Sequence, residues 1–157
     1  MAGLSIKLDV TGDLEKFAGR LERLGKPGVK QQLNTQIAQA LENSTLERFK
    51  TGTDPDGGAW KPSGRVQAEN AKRRKSGKSG KTLVDTGRLR NSIHSASSDD
   101  AAEVGTDVVY ARIHQLGGDA GRNHATKLAA RPYLGMSADD ERVVRAVVEG
   151  FVEEMLR

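Results

Sequence analysis

Val29-Lys30-Gln31-Gln32-Leu33-Asn34-Thr35-Gln36-Ile37-Ala38-Gln39-Ala40-Leu41-Glu42-Asn43-Ser44-Thr45-Leu46-Glu47-Arg48-Phe49-Lys50 is the most strongly patterned stretch of the chain. Val29, Leu33, Ile37, Leu41, Thr45 and Phe49 recur every fourth residue, the spacing of a long helix with an apolar face. Gly25-Lys26-Pro27 breaks the chain before it, and Pro27 suits the first turn of the new helix, where an N–H is dispensable. Upstream, Leu4, Ile6, Leu8 and Val10 alternate with polar residues and predict a half-buried strand over 4–10. Thr11-Gly12-Asp13 then turns the chain, and Leu14, Phe17, Leu21 and Leu24 share one face of a short helix.

Downstream, residues 51–64 read as a Gly/Pro-rich loop around Trp60, the single tryptophan. Residues 65–75 predict a short helix with little to bury, and 76–81 (SGKSGK) a flexible linker. Asp85-Thr86 offers a cap for a helical turn through Leu89. A hairpin follows, with strands from Ile93 and up to Val104 around a turn at Ser98-Asp99-Asp100. The run from Val108 to Gln115 turns helical before Gly117-Gly118, with Tyr110, Ile113 and Leu116 on its inward face, and 119–130 reads as loop. Ser137 caps a last helix whose first turn holds Asp139, Asp140 and Glu141, at the positive end of its dipole. Val143, Val147, Phe151 and Met155, flanked by Val144 and Val148, give that helix a broad apolar face. The order predicts an α+β fold with long helices laid on a small antiparallel sheet. Residues 1–157 are expected to form a single domain with a flexible basic loop over 61–82.

Composition narrows the function. The chain has 157 residues, of which 36% are hydrophobic, enough for one compact core. It has no cysteine, which excludes disulfides, thiolate zinc sites and cysteine nucleophiles. Its apolar runs fall far short of the ~20 residues a membrane helix needs. The opening MAGLSIKLDV lacks the apolar core of a signal peptide, so a cytoplasmic site of synthesis and no membrane partner are expected.

No reacting constellation stands out. Most carboxylates fall in turns or first helical turns, and nothing selects a pair for acid–base work. His94, His114 and His124 show no metal-ligand spacing, and no G-x-S-x-G elbow is present. Gly77-Lys78-Ser79-Gly80-Lys81 lacks the spacing of a phosphate loop. No catalytic residue, metal or cofactor is expected.

The net charge of +4 conceals an asymmetry. Residues 61–90 carry ten Lys/Arg and two acids, a net +8, leaving −4 on the rest. Lys72, Arg73, Arg74 and Lys75, with Lys78 and Lys81, form its centre. No aromatic residue lies among them to stack on bases. Three readings stand side by side: a non-specific contact with DNA phosphates, an arm docking on an acidic neighbouring subunit, and a solvated basic loop. Trp60 has two readings, closing the core or anchoring an interface.

Four stretches in order resemble the phage Mu-type virion morphogenesis family, also described as tail completion proteins. They are Phe49 with Asp54-Pro55-Asp56-Gly57-Gly58-Ala59-Trp60, then Leu83-Val84-Asp85-Thr86-Gly87-Arg88-Leu89-Arg90-Asn91-Ser92-Ile93. Next come Val104-Gly105-Thr106-Asp107 with Tyr110-Ala111-Arg112-Ile113-His114-Gln115-Leu116-Gly117-Gly118, and last Ala130-Arg131-Pro132-Tyr133-Leu134-Gly135-Met136-Ser137. The resemblance implies a structural protein with no enzymatic task, made in the bacterial cytoplasm and built into the virion at the head–tail junction or the head-proximal tail end. It implies a fold like that of neck and tail-terminator subunits. It also implies a homo-oligomeric ring around the DNA channel, of six subunits or alternatively twelve, joined to other neck and tail proteins. Within these boxes, His114-Gln115 is expected to face a neighbour, and Arg131 to make a charged contact within or between subunits. The 72–81 segment departs from the family pattern and takes no role from it.

Overall fold

The computed structural model describes residues 25–73 and 80–157, together with residues 19, 22 and 23. The strand expected over 4–10 and most of the helix expected over 14–24 lie outside the described residues.

The long helix forms as expected, as α1, Val29–Thr51. Pro27 lies ahead of its cap and not in its first turn, because left-handed Gly28 (φ 81°) is the capping residue. At the other end Gly52 (φ 75°) donates its N–H to the Arg48 carbonyl at 2.7 Å, a glycine stop that needs the left-handed region. A strict four-residue repeat does not stay on one face. At 3.6 residues per turn each step advances about 40°, so the five steps from Val29 to Phe49 swing through about 200°. The helix is accordingly covered on two sides, by α5 (Ala138–Leu156) and by the hairpin of β1 (His94–Ser97) and β2 (Ala102–Gly105). Toward the hairpin, Asn34 Nδ2 donates to the Ser98 carbonyl at 2.8 Å and Ser95 Oγ to Glu42 Oε2 at 2.6 Å.

β1 and β2 pair antiparallel, from His94 opposite Gly105 to Ser97 opposite Ala102. The Ser98 hydroxyl closes their turn by accepting the Asp100 and Ala101 N–H groups. α2 (Gly64–Arg73) occupies much of the basic segment. It buries little among its described residues, as expected: Val66 alone is inside, with its N–H on Ser63 Oγ. α3 (Arg88–Asn91) starts after left-handed Gly87, so the Asp85-Thr86 cap is displaced by one position, although Thr86 Oγ1 still accepts the Arg88 N–H at 3.3 Å. α4 (Ala111–Leu116) is the expected short helix.

The expected loop over 119–130 is instead a second hairpin, β3 (Gly118–Ala120) with β4 (Thr126–Leu128), joined through a single 3₁₀ turn at Arg122–His124. Both its strands are mostly exposed, so no apolar alternation marks them in the sequence. The architecture is α+β, with helices against two-stranded antiparallel hairpins.

The core joins distant parts of the chain. Phe49, Trp60, Leu89, Ile93, Ala111 and Tyr133 form one buried cluster, with Leu46, Leu83, Val84, Val104, Val108 and Leu134 packed against it.

Candidate functional site

All four family-like boxes meet in that core. The loop after α1 folds back because Asp54 ties it together: its N–H donates to the Gly58 carbonyl at 2.8 Å, and its Oδ1 accepts the Gly58 N–H at 2.7 Å. The Trp60 N–H then donates to the Gly52 carbonyl at 2.8 Å, which returns the indole to the base of α1. Trp60 is buried edge-on to Phe49 (ring centroids 5.5 Å apart), and its Nε1 donates to the Pro132 carbonyl at 2.8 Å. Its core reading therefore describes it in the single chain. Pro55 lies against Gly135, where an added Cβ would sit 2.7 Å from Pro55 Cγ.

Gln115 bonds within the chain. Its Oε1 accepts the N–H groups of Tyr133 and Leu134 at 2.9 and 3.0 Å, and its Nε2 donates to the Leu134 carbonyl at 2.8 Å. One amide side chain thus serves as the hydrogen-bonding partner of the Tyr133-Leu134 backbone. The inward face of α4 is Ala111, whereas Tyr110 and Leu116 are exposed, the latter by 63%. The spacing of three fits a six-residue helix poorly as a guide, because α4 is oriented by Gln115 and by the Arg131 N–H on the His114 carbonyl. Val109, at 96% exposure, extends this apolar outer side.

Two arginines are buried, with opposite surroundings. Arg48 reaches Asp140 of α5, and its Nη1 donates to the carbonyls of Tyr133 and Gly135 at 3.0 and 2.9 Å. Asp140 also closes the capping box of α5 with Ser137: its carboxylate accepts the Ser137 N–H, and its own N–H reaches Ser137 Oγ. Burial pushes the Asp140 carboxyl up, but hydrogen bonds from Ser44 and Ser137 and the Arg48 charge outweigh it, and it is held below the usual aspartate value. Arg131, 4% exposed, meets carbonyls alone: Nε on Lys61 at 2.7 Å, Nη1 on Ala129 and Nη2 on Pro62, both at 3.3 Å. It makes no ion pair among the described residues. Its contacts lie within the chain.

Arg131 lines a cleft of about 430 Å³ together with Arg65, Asp85, Arg88, Tyr110 and His114. Arg65 is engaged by Glu69 at 2.9 Å and by Asp85 at 3.5 Å, whereas Arg88 is exposed. His114 is edge-on to Tyr110, and its Nδ1 is buried without a partner among the described residues. Burial first, and the Arg131 charge second, hold its pKa below the ordinary imidazole value.

The basic candidates are only partly described. Lys72 and Arg73 end α2, and Arg74, Lys75 and Lys78 lie outside the described residues. Lys81 is exposed, with its Nζ on the Lys50 carbonyl at 3.3 Å. Sequence reasoning passed over Arg48 and Asp140 as a pair. Arg48 shares the α5-facing side of α1 with Leu41 and Ser44, but no local feature of the sequence ties it to Asp140.

Among the described residues no cluster of His, Asp or Glu is arranged to hold a metal, and no helix is long and apolar enough to cross a membrane. No solved structure matches the chain. The Mu-like prophage FluMu G protein 2 of Haemophilus influenzae is 31% identical over 144 residues, covering 91% of this chain and 94% of that protein. Protein G of Escherichia phage Mu, provisionally named a capsid assembly protein, is 29% identical over 98% of this chain and 99% of its own length. The family model for phage virion morphogenesis matches residues 9–153. Matched along nearly its whole length, and with the boxes that carry the likeness gathered into one core, the chain belongs to the phage virion morphogenesis family.

Proposed function

We propose that this protein is a structural component of a tailed phage or prophage that acts at the head–tail junction, as a tail completion, neck or terminator subunit, and that it works as a ring around the DNA channel. The family match over residues 9–153 carries the assembly role. Two features support the ring. Residues from all four family boxes build the core, while Val109, just before α4, and Leu116, at its end, stay exposed. A subunit of 16.9 kDa cannot encircle DNA alone, and cyclic closure joins two different faces of each copy. Other neck and tail proteins would then meet the ring above and below. Electron microscopy and native mass spectrometry of the purified protein test the ring: closed six-fold particles are expected, twelve-fold on the portal side. Leu116→Asp should prevent closure while leaving the monomer's melting temperature unchanged. A wild type that stays monomeric at all concentrations contradicts this reading.

A second reading, non-specific contact with genomic DNA, is supported by the net +8 of residues 61–90 and the exposure of Lys61, Lys81 and Arg88. It requires affinity for duplex DNA to fall by ~10³ or more between 50 and 200 mM salt. Binding with a flat salt response removes it.

A further inference from the structure

We propose that the cleft between α2, α3 and α4 receives a carboxylate from the last turn of α5 of an adjacent copy, with Arg131 at its buried end and Arg88 at its rim. The proposal rests on the ring reading and supplies its electrostatic joint. A guanidinium has five N–H donors, of which Arg131 uses three on the Lys61, Ala129 and Pro62 carbonyls. Among the described residues its other two N–H groups have no partner and its charge no ion pair, although it is 4% exposed, an arrangement that is costly without an anion. The unpartnered Nδ1 of His114 beside it is a second sign that the cleft is incomplete in the single chain.

The complementary defect lies at the end of α5. Glu153 and Glu154 are exposed there, one turn after exposed Glu149, three acids against a single base, Arg157 at the C-cap. Acids at the negative end of a helix dipole are unfavourable, and one base does not balance three. The acids at the other end of α5 are already served: Asp139 is bridged to Arg142, and Asp140 to Arg48. α5 packs on α1, whereas the cleft is built from other elements, so cleft and acid can belong to two different faces of one subunit, as a closed ring requires. A cleft of about 430 Å³ with its arginine inside admits a side chain.

The test is charge exchange in the full-length protein. Arg88→Glu should raise the concentration needed for ring assembly by at least about tenfold, and so should Glu153→Arg with Glu154→Arg. The combined variant should recover most of the loss, with circular dichroism verifying the fold of each. A second measurement does not depend on those charges. The chain has no cysteine, so Arg88→Cys protein mixed with Glu153→Cys protein should give an oxidised, covalently joined pair only where the two positions meet between subunits. Rings that form normally in all charge variants, with no mixed disulfide, overturn the cleft assignment and leave the ring reading standing. A wild type that never assembles overturns both. Intact rings of Arg88→Glu with weakened, salt-dependent DNA binding would assign the cleft to phosphate instead.

Discussion

Replacing Arg48 with methionine keeps the length of the side chain and removes its charge. In the wild type that charge faces Asp140, both side chains being under 10% exposed, and the same guanidinium donates to the Tyr133 and Gly135 carbonyls. Arg48→Met leaves a buried carboxylate supported by Ser44 and Ser137 alone and strips two carbonyls of their donor. Removing one partner of a buried pair costs about 3–5 kcal/mol. A domain of this kind has about 5–15 kcal/mol in total, so the variant should be marginal. In urea denaturation with a slope near 2 kcal/mol/M, the midpoint should fall by roughly 1.5–2.5 M with the slope unchanged. Asp140→Asn should lose a comparable amount, and the double variant should lose much less than the sum, because the second change removes the stranded charge. The acid limb supplies a further check. The Asp140 carboxyl is held below its ordinary value of 3.8 in the folded state. Its contribution is therefore complete above that ordinary, unfolded value and drains away as pH falls through the folded one. That part of the acid sensitivity should shrink in Arg48→Met. A loss below about 1 kcal/mol, the size of an exposed pair, or strict additivity in the double variant, would refute the reasoning.

Three other outcomes follow from the same contacts. Gly117→Ala should be far more damaging than Gly52→Ala although both sit at positive φ: at Gly117 the new Cβ would lie 2.7 Å from the Ala130 nitrogen, at Gly52 in open space. Thermal denaturation should separate them by about 1–3 kcal/mol. Gln115→Leu keeps the bulk but leaves the Tyr133 and Leu134 N–H groups without an acceptor, and should cost about 2–6 kcal/mol at about 1–3 per group, measured in urea. Because His114 titrates below 6.5 in the folded chain, the unfolded chain binds the proton first as pH falls. Stability should therefore decline as pH drops below about 6.5 toward the folded value, and His114→Gln should flatten that slope.

Much of this architecture is legible in the sequence where an element carries its own local signal. α1 has its four-residue spacing, α5 its Ser137 cap, and the Ser98 turn its hydroxyl and acids. The boxes beginning at Phe49, Leu83, Val104 and Ala130 converge in the core. The rest is set by partners remote in sequence. Arg48 and Asp140 stand 92 residues apart, and nothing local in either marks the pair. The hairpin of β3 and β4 hides because neither strand buries a face, leaving no alternation to read. In α4 the side chains called inward by spacing, Tyr110 and Leu116, are outside, because one amide, Gln115, turns the helix from its polar side. The basic segment yields composition more readily than contacts: its charge is plain, whereas the burial of Val66 and its N–H bond to Ser63 Oγ are not.

The measurement closest to the central claim is electron microscopy of particles from a phage lacking this gene, with the gene restored in trans as the reference. The account predicts full heads beside separate tails, or tails of irregular length, and joined virions on restoration. Intact, normally joined and infectious virions without the gene would contradict a role at the head–tail junction.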